Sequence, residues 1–283
     1  MSFMGQQALY DKICIRASRM TTRLYSTSFS LGIRCLDKEF RNPIYAIYGF
    51  VRFADEIVDT FHNHDKVTLL KRFTEDTWRA IDEKISLNPI LHSFQFAVNT
   101  YHIDHALIRQ FLASMEMDLD SKKYDQAGYE QYILGSAEVV GLMCLKIFCR
   151  GDAKEYDRLK ADAMKLGAAF QKINFLRDLH ADYATMGRCY FPGLDIERFD
   201  EASKKKIEEN IAIDFEQGLR GIKQLPKGAR LGVYVAYLYY TALFRKIRRL
   251  PSATVLQSRV RVRNRYKLAI LGYSFVKHRL NLL

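Results

Sequence analysis

NPIYAIYGFVRFADEIVD, residues 42–59, is the stretch whose reading decides the fold class. Ile47, Phe50, Val51, Ala54, Ile57 and Val58 recur at three- and four-residue steps, the period of an α-helix with one face turned to a core. Tyr45, Tyr48, Arg52, Asp55 and Asp59 form a second stripe at the same spacing, and Pro43 suits a first helical turn. The remaining sequence is patterned alike. Stretches rich in Leu, Ala, Lys, Glu and Ile, with only 5 Pro and 15 Gly in 283 residues and no β-branched alternation, predict an all-α protein. Further helices are expected over about 64–85, 104–120, 126–149, 153–183, 201–223 and 229–249. LNPI around Pro89, FPGLD around Pro192 and QLPKG around Pro226 read as breaks; none is a long linker, so residues 1–283 are expected to form a single domain.

At 48% hydrophobic residues the chain has ample material for a core and too much for disorder. Its five cysteines, Cys14, Cys35, Cys144, Cys149 and Cys189, are odd in number and lack C-x-x-C spacing. That argues against a disulfide framework or a zinc knuckle and fits a reducing, cytoplasmic location. The N-terminus lacks the charged-then-apolar order of a signal peptide. The longest nearly uncharged run, LGVYVAYLYYTALF (231–244), falls short of the roughly 20 residues that span a bilayer and reads as a buried helix. The net charge of +12 is concentrated after residue 244, in FRKIRRL and RVRVRNRYK. Such a tail suits a nucleic acid, an anionic membrane surface or a polyphosphorylated small molecule.

Only two pairs of aspartates stand four residues apart: Asp55 with Asp59, and Asp178 with Asp182. In GAAFQKINFLRDLHADY, Gln171, Asn174, Asp178 and Asp182 share one wholly polar helix side, while Ala168, Ile173, Phe175, Leu176 and Leu179 take the other. Short amide and carboxylate side chains suit close ligation of a hard cation. Like charges at this spacing repel, and each pair has an arginine beside it, Arg52 or Arg177. Taken singly, either pair reads more readily as a solvated helix face. Together, acid pairs with arginines point to a metal-bound anion such as a diphosphate, with Mg²⁺ bridging carboxylate to phosphate and Arg taking the remaining oxygens.

These residues resemble the squalene and phytoene synthase family, which joins two allylic prenyl diphosphates head to head. YGFVRFADEIVD is similar to the family's Y-A-x-x-R-x-x-D-[DE]-x-x-D, and GAAFQKINFLRDLHADYATMGRCYFP (167–192) to its long second motif. Weaker similarity extends to YSTSFS (25–30), MEMDL (115–119), YILGSAEVVGLM (132–143) and the tail. The resemblance implies a helical bundle of the isoprenoid synthase type with a central apolar cavity. It also implies a transferase of carotenoid biosynthesis, most like bacterial phytoene synthase, that condenses two geranylgeranyl diphosphates through a cyclopropylcarbinyl diphosphate. Dehydrosqualene or squalene synthesis from farnesyl diphosphate is the alternative.

By position, the resemblance assigns Asp55, Asp59, Asn174, Asp178 and Asp182 to Mg²⁺, with Mn²⁺ as a substitute. Tyr48, Arg52, Arg177 and Tyr240 would act in catalysis, and Tyr25, Ser26, Ser28, Gln171, Asn174 and Arg259 would bind substrate; NADPH is not expected. The chain departs from the family's YCYxVAGxVG at Leu134, for a tyrosine, and Glu138, for a glycine, which bears on chain-length preference. Two readings of other classes stay open. RVRVRNRYK, with arginines at 259, 261, 263 and 265 in an extended alternation, suggests a nucleic-acid binder, but the acidic helices and the lack of a binding module weigh against it. A non-catalytic helical scaffold is opposed by the intact second motif. The tail is also expected to make peripheral membrane contact. His62 with His64 and His102 with His105 read as surface histidines.

Overall fold

The computed structural model describes residues 3–120, 124–257, 259–262 and 264–279. Helices account for most of them, with no strand among the described residues. In chain order they are α1 (Phe3–Tyr25), α2 (Thr27–Arg34), α3 (Lys38–Asp59), α4 (Lys66–Glu83), α5 (Pro89–Tyr101), α6 (His105–Asp120), α7 (Gln126–Ile133), α8 (Val139–Phe148), α9 (Ala153–Met186), α10 (Glu201–Gln224), α11 (Lys227–Arg248), α12 (Ser252–Val255) and α13 (Asn264–Arg279).

Local chemistry fixes the boundaries. Asp65 caps α4 by accepting the Thr68 N–H at 3.0 Å, and Asp152 caps α9 by accepting those of Lys154 and Glu155. Pro89, expected to be a break, instead opens α5: Asn88 Oδ1 accepts the N–H groups of Ile90 and Leu91, and a proline in the first turn has no N–H to leave unpaired. Pro43 lies deeper than expected, inside α3, which begins at Lys38.

The apolar stripe of α3 meets α1, α5, α6 and α8, where Phe50 stacks on Phe94 at 3.8 Å between centroids. A second apolar core joins α7, α9, α10 and α11. The long α9 can pass close to the α7–α8 junction because Gly167 has no side chain; a Cβ there would sit 2.6 Å from the Ala137 carbonyl oxygen. The junction itself, Leu134–Glu138, is one turn of π-helix. Leu134 and Glu138, the two departures from the family pattern, are its first and last residues.

The 231–244 run lies in α11, whose Leu231, Tyr234, Val235 and Tyr239 are buried as expected. A different helical run, Gln126–Phe148, is long and apolar enough to cross a bilayer by length and composition, and 50% of it is buried inside the protein. The extended arginine alternation does not persist, because the chain turns helical at Asn264. Arg263 and the Arg265 side chain lie outside the described residues.

Candidate active site

The second stripe of α3 and the polar side of α9 line one cavity of about 710 Å³, reached also by α2, α6, α8, α10 and α11. Tyr48, Arg52, Asp55 and Asp59 line it from α3, and Gln171, Asn174, Arg177, Asp178 and Asp182 from α9. Tyr25, Ser26, Tyr240 and Arg259 complete the set. Two residues fall outside: Ser28 is not among the lining residues, and Tyr45, although on the α3 stripe, is buried with Arg19 over its ring at 5.5 Å.

Each acid pair is held by arginines. Arg52 Nη1 donates to Asp55 at 2.6 Å and Nη2 to Glu56, while the guanidinium stands 4.3 Å above the Tyr25 ring. The buried Arg52 Nε finds no partner among the described residues, leaving an unfilled donor. Arg177 Nε donates to Asp178 at 2.9 Å, and Arg259 Nε reaches the same carboxylate at 2.7 Å. The tail arginine therefore belongs to the site. Tyr240 donates its hydroxyl to Asn174 Oδ1 at 3.3 Å.

Negative charge is crowded here. Burial, and then repulsion from Asp59, pushes Asp55 up to about 7; burial, with Asp178 and Asp59 adding to it, does the same to Asp182. Burial raises the Tyr48 phenol to about 12, so it stays protonated at neutral pH. Among the described residues no three His, Cys, Asp or Glu side chains gather as a closed metal cage. The arrangement still fits Mg²⁺, which takes one or two protein carboxylates and fills its remaining positions with phosphate oxygens and water. Two carboxylate pairs short of counter-charge, with arginines around them, match that donor set.

Below the carboxylates the walls become aromatic and aliphatic. Phe170 stacks on Tyr240 at 4.1 Å, and Phe29 packs against Tyr48 at 5.6 Å and Tyr240 at 6.0 Å. Phe29 and Phe170 escaped the sequence reading because an aromatic in a helix is most often plain core, and only the tertiary fold turns these two toward the cavity.

A model of the family described as squalene/phytoene synthase matches residues 22–266. The chain belongs to the squalene/phytoene synthase family. It is 23% identical over 93% of its length to a bifunctional lycopene cyclase/phytoene synthase from Blakeslea trispora, covering 49% of that protein. It is 27% identical over 66% of its length to a 4,4'-diapophytoene synthase from Staphylococcus haemolyticus, covering 65% of it. The chain thus spans about half to two thirds of the length of these relatives. Its fold resembles that of a crystallised dehydrosqualene synthase with a TM-score of 0.80, at 21% identity, over 94% of this chain and 96% of that one.

Within this family member, the sequence reading missed the group that ties the two acid helices together. Gly187 ends α9 at φ 65, a left-handed turn that glycine adopts without strain, and the Arg188 N–H closes it on the Asp182 carbonyl at 3.1 Å. The turn sends the Arg188 side chain to Asp59 at 2.9 Å, to the Asp118 carbonyl oxygen at 2.5 Å and to the Asp118 carboxylate at 3.6 Å. Tyr132 and Tyr190 also donate to Asp118, at 2.5 and 3.2 Å. Burial pushes Asp118 up to about 6 in spite of Arg188. The signals lay in the G-R of the second motif and the D of MEMDL, but nothing in their spacing joins residues 70 apart.

Proposed function

We propose that the protein is a phytoene synthase, condensing two geranylgeranyl diphosphates head to head with loss of diphosphate. The observation that carries this reading is the pairing of Asp55 and Asp59 with Asp178 and Asp182 in one cavity, with arginines beside the acids and an aromatic, aliphatic interior beneath. In the proposed roles, Asp55, Asp59, Asn174, Asp178 and Asp182 hold Mg²⁺, which when bound neutralises charge growing on the leaving diphosphate. Arg52, Arg177 and Arg259 bind the remaining phosphate oxygens, each already at a carboxylate and each with further N–H donors. Gln171, Ser26 and Tyr25 position the substrate at the mouth.

The Tyr48, Phe29, Phe170 and Tyr240 rings face the allylic cation that ionisation leaves behind, and their π-faces favour positive charge. The apolar walls keep water from capturing that cation before the second allyl group attacks it. Coupling to the second allyl group, with ring closure and loss of a proton from the carbon that was ionised, yields a cyclopropylcarbinyl diphosphate, which releases its own diphosphate, rearranges and loses a second proton.

Support for the longer substrate comes from depth. Lining residues on α9 alone run from Leu159 to Asp182, about 34 Å at 1.5 Å per residue. Several relatives are named phytoene synthase. A second reading, condensation of farnesyl diphosphate, is favoured by the relative named 4,4'-diapophytoene synthase. The test is incubation with geranylgeranyl or farnesyl diphosphate and Mg²⁺, with and without NADPH, and identification of the hydrocarbon by mass spectrometry. Phytoene from the C20 substrate, unaffected by NADPH, is expected. A C30 product alone would overturn the chain length, and no hydrocarbon from either would overturn the reaction.

A further inference from the structure

The helix leading into the site carries a stripe that the rest of the described fold leaves bare. On α1, Leu9, Ile13, Met20 and Leu24 follow at steps of four, seven and four residues and are 49%, 50%, 60% and 77% exposed. Those steps hold the four side chains within a narrow sector of one helix face. Along one edge of the sector lie Lys12, Arg16 and Arg23, all exposed. The opposite face is occupied: Cys14, Ser18 and Thr22 are buried, Ser18 Oγ meets Ser93 Oγ at 2.6 Å, and Asp11 binds His92 at 2.8 Å.

Large aliphatic side chains left in water on an otherwise packed helix mark a contact surface, and the cationic border defines its partner. A second copy using the same stripe would set three cations against their own equivalents. A bilayer with anionic headgroups offers the complement of both features, an apolar boundary for the stripe and negative charge for its edge. The stripe ends at Leu24, next in sequence to Tyr25, the last residue of α1, which projects about 100° further round the helix, is half exposed and lines the cavity beside Arg52. We infer that α1 docks the protein on an anionic bilayer surface, seating Leu9, Ile13, Met20 and Leu24 at the headgroup–acyl boundary, with the cavity-lining Tyr25 at the border of that contact. The docking surface is then α1 and not the basic tail, one arginine of which, Arg259, is already engaged by Asp178.

The test is co-sedimentation of the full chain with vesicles of phosphatidylcholine alone or mixed with phosphatidylglycerol, at moderate salt and without substrate. Binding is therefore read apart from any reaction. The wild type is expected on the mixed vesicles only. I13E/M20E and, separately, K12E/R16E are expected to partition at least about tenfold less while melting at the wild-type temperature. Reversal of two tail cations, R248E/R261E, is expected to change partitioning by less than about threefold. Wild-type binding by I13E/M20E, or no binding of the wild type to mixed vesicles, would overturn the inference. So would a dimer in size-exclusion chromatography that I13E/M20E converts to monomer, which would assign the stripe to a second copy.

Discussion

Replacing Arg188 by Met tests the link between the two acid helices most directly. The change keeps side-chain length and apolar contact but strips Asp118, whose side chain is 2% exposed, of its only charged partner among the described residues. Breaking a buried pair from one side typically costs about 3–5 kcal/mol because a charge is left uncompensated. Here the electrostatic part has a ceiling, since Asp118 can take up a proton instead. With Asp118 at about 6 in the native protein, protonating it at pH 8 costs about 3 kcal/mol, at 1.36 kcal/mol per pH unit. At pH 6 the same step costs almost nothing. Removing the cation raises the folded-state value further above the unfolded one, so the native state holds a proton that the unfolded chain has lost, and stability falls as pH rises.

The expectation for R188M is therefore a loss that grows by up to about 3 kcal/mol between pH 6 and pH 8, on top of a pH-independent loss of about 1–3 kcal/mol for hydrogen bonds to the Asp118 carbonyl and Asp59. Urea denaturation at the two pH values measures it. R188M/D118N, which removes the buried carboxylate and leaves only the partly exposed Asp59 without its arginine, should recover most of the pH-dependent part. Equal destabilisation at both pH values, or no recovery in the double variant, would refute the reasoning.

Three further outcomes follow from the same geometry. D178N, which weakens the anchor shared by Arg177 and Arg259, should lower Mg²⁺-dependent diphosphate release by at least about 100-fold; turnover within tenfold of wild type would remove Asp178 from its proposed role. G167A drives a methyl to 2.6 Å from the Ala137 oxygen and should destabilise the fold by about 1–3 kcal/mol, visible as a lower denaturation midpoint with an unchanged slope. Because Asp55 and Asp182 sit near 7, far above their unfolded value, the contribution of these groups to the stability of the metal-free protein falls from about pH 4 to pH 7. Mg²⁺ with inorganic diphosphate should accordingly raise the melting temperature more at pH 8 than at pH 6, since at pH 6 protons must first be displaced; scanning calorimetry at both pH values checks this.

Periodicity alone made the central helices legible, because α3, α9 and α11 each alternate a buried face with a distinct second one. It was less telling for α2 and α5, short helices whose ends are set by Ser26 and Asn88 capping nearby N–H groups, and for α1, where an exposed aliphatic stripe blurs the contrast between faces. The acid pairs and their adjacent arginines were readable because residues four apart on a helix are neighbours whatever the fold does next. So were Asn174, Gln171 and Tyr240 once the long second motif was matched to a family.

What the tertiary structure alone decided lies between elements. It brought Phe29 of α2 and Phe170 of α9 to the Tyr240 ring, left Ser28 out of the cavity, and let Arg188 fasten Asp59 to Asp118 across three segments. The physical reason is range. Helical spacing fixes which side chains share a face within about two turns, while the meeting of two faces depends on packing choices such as the bare Gly167 against the π-turn, summed over the whole chain.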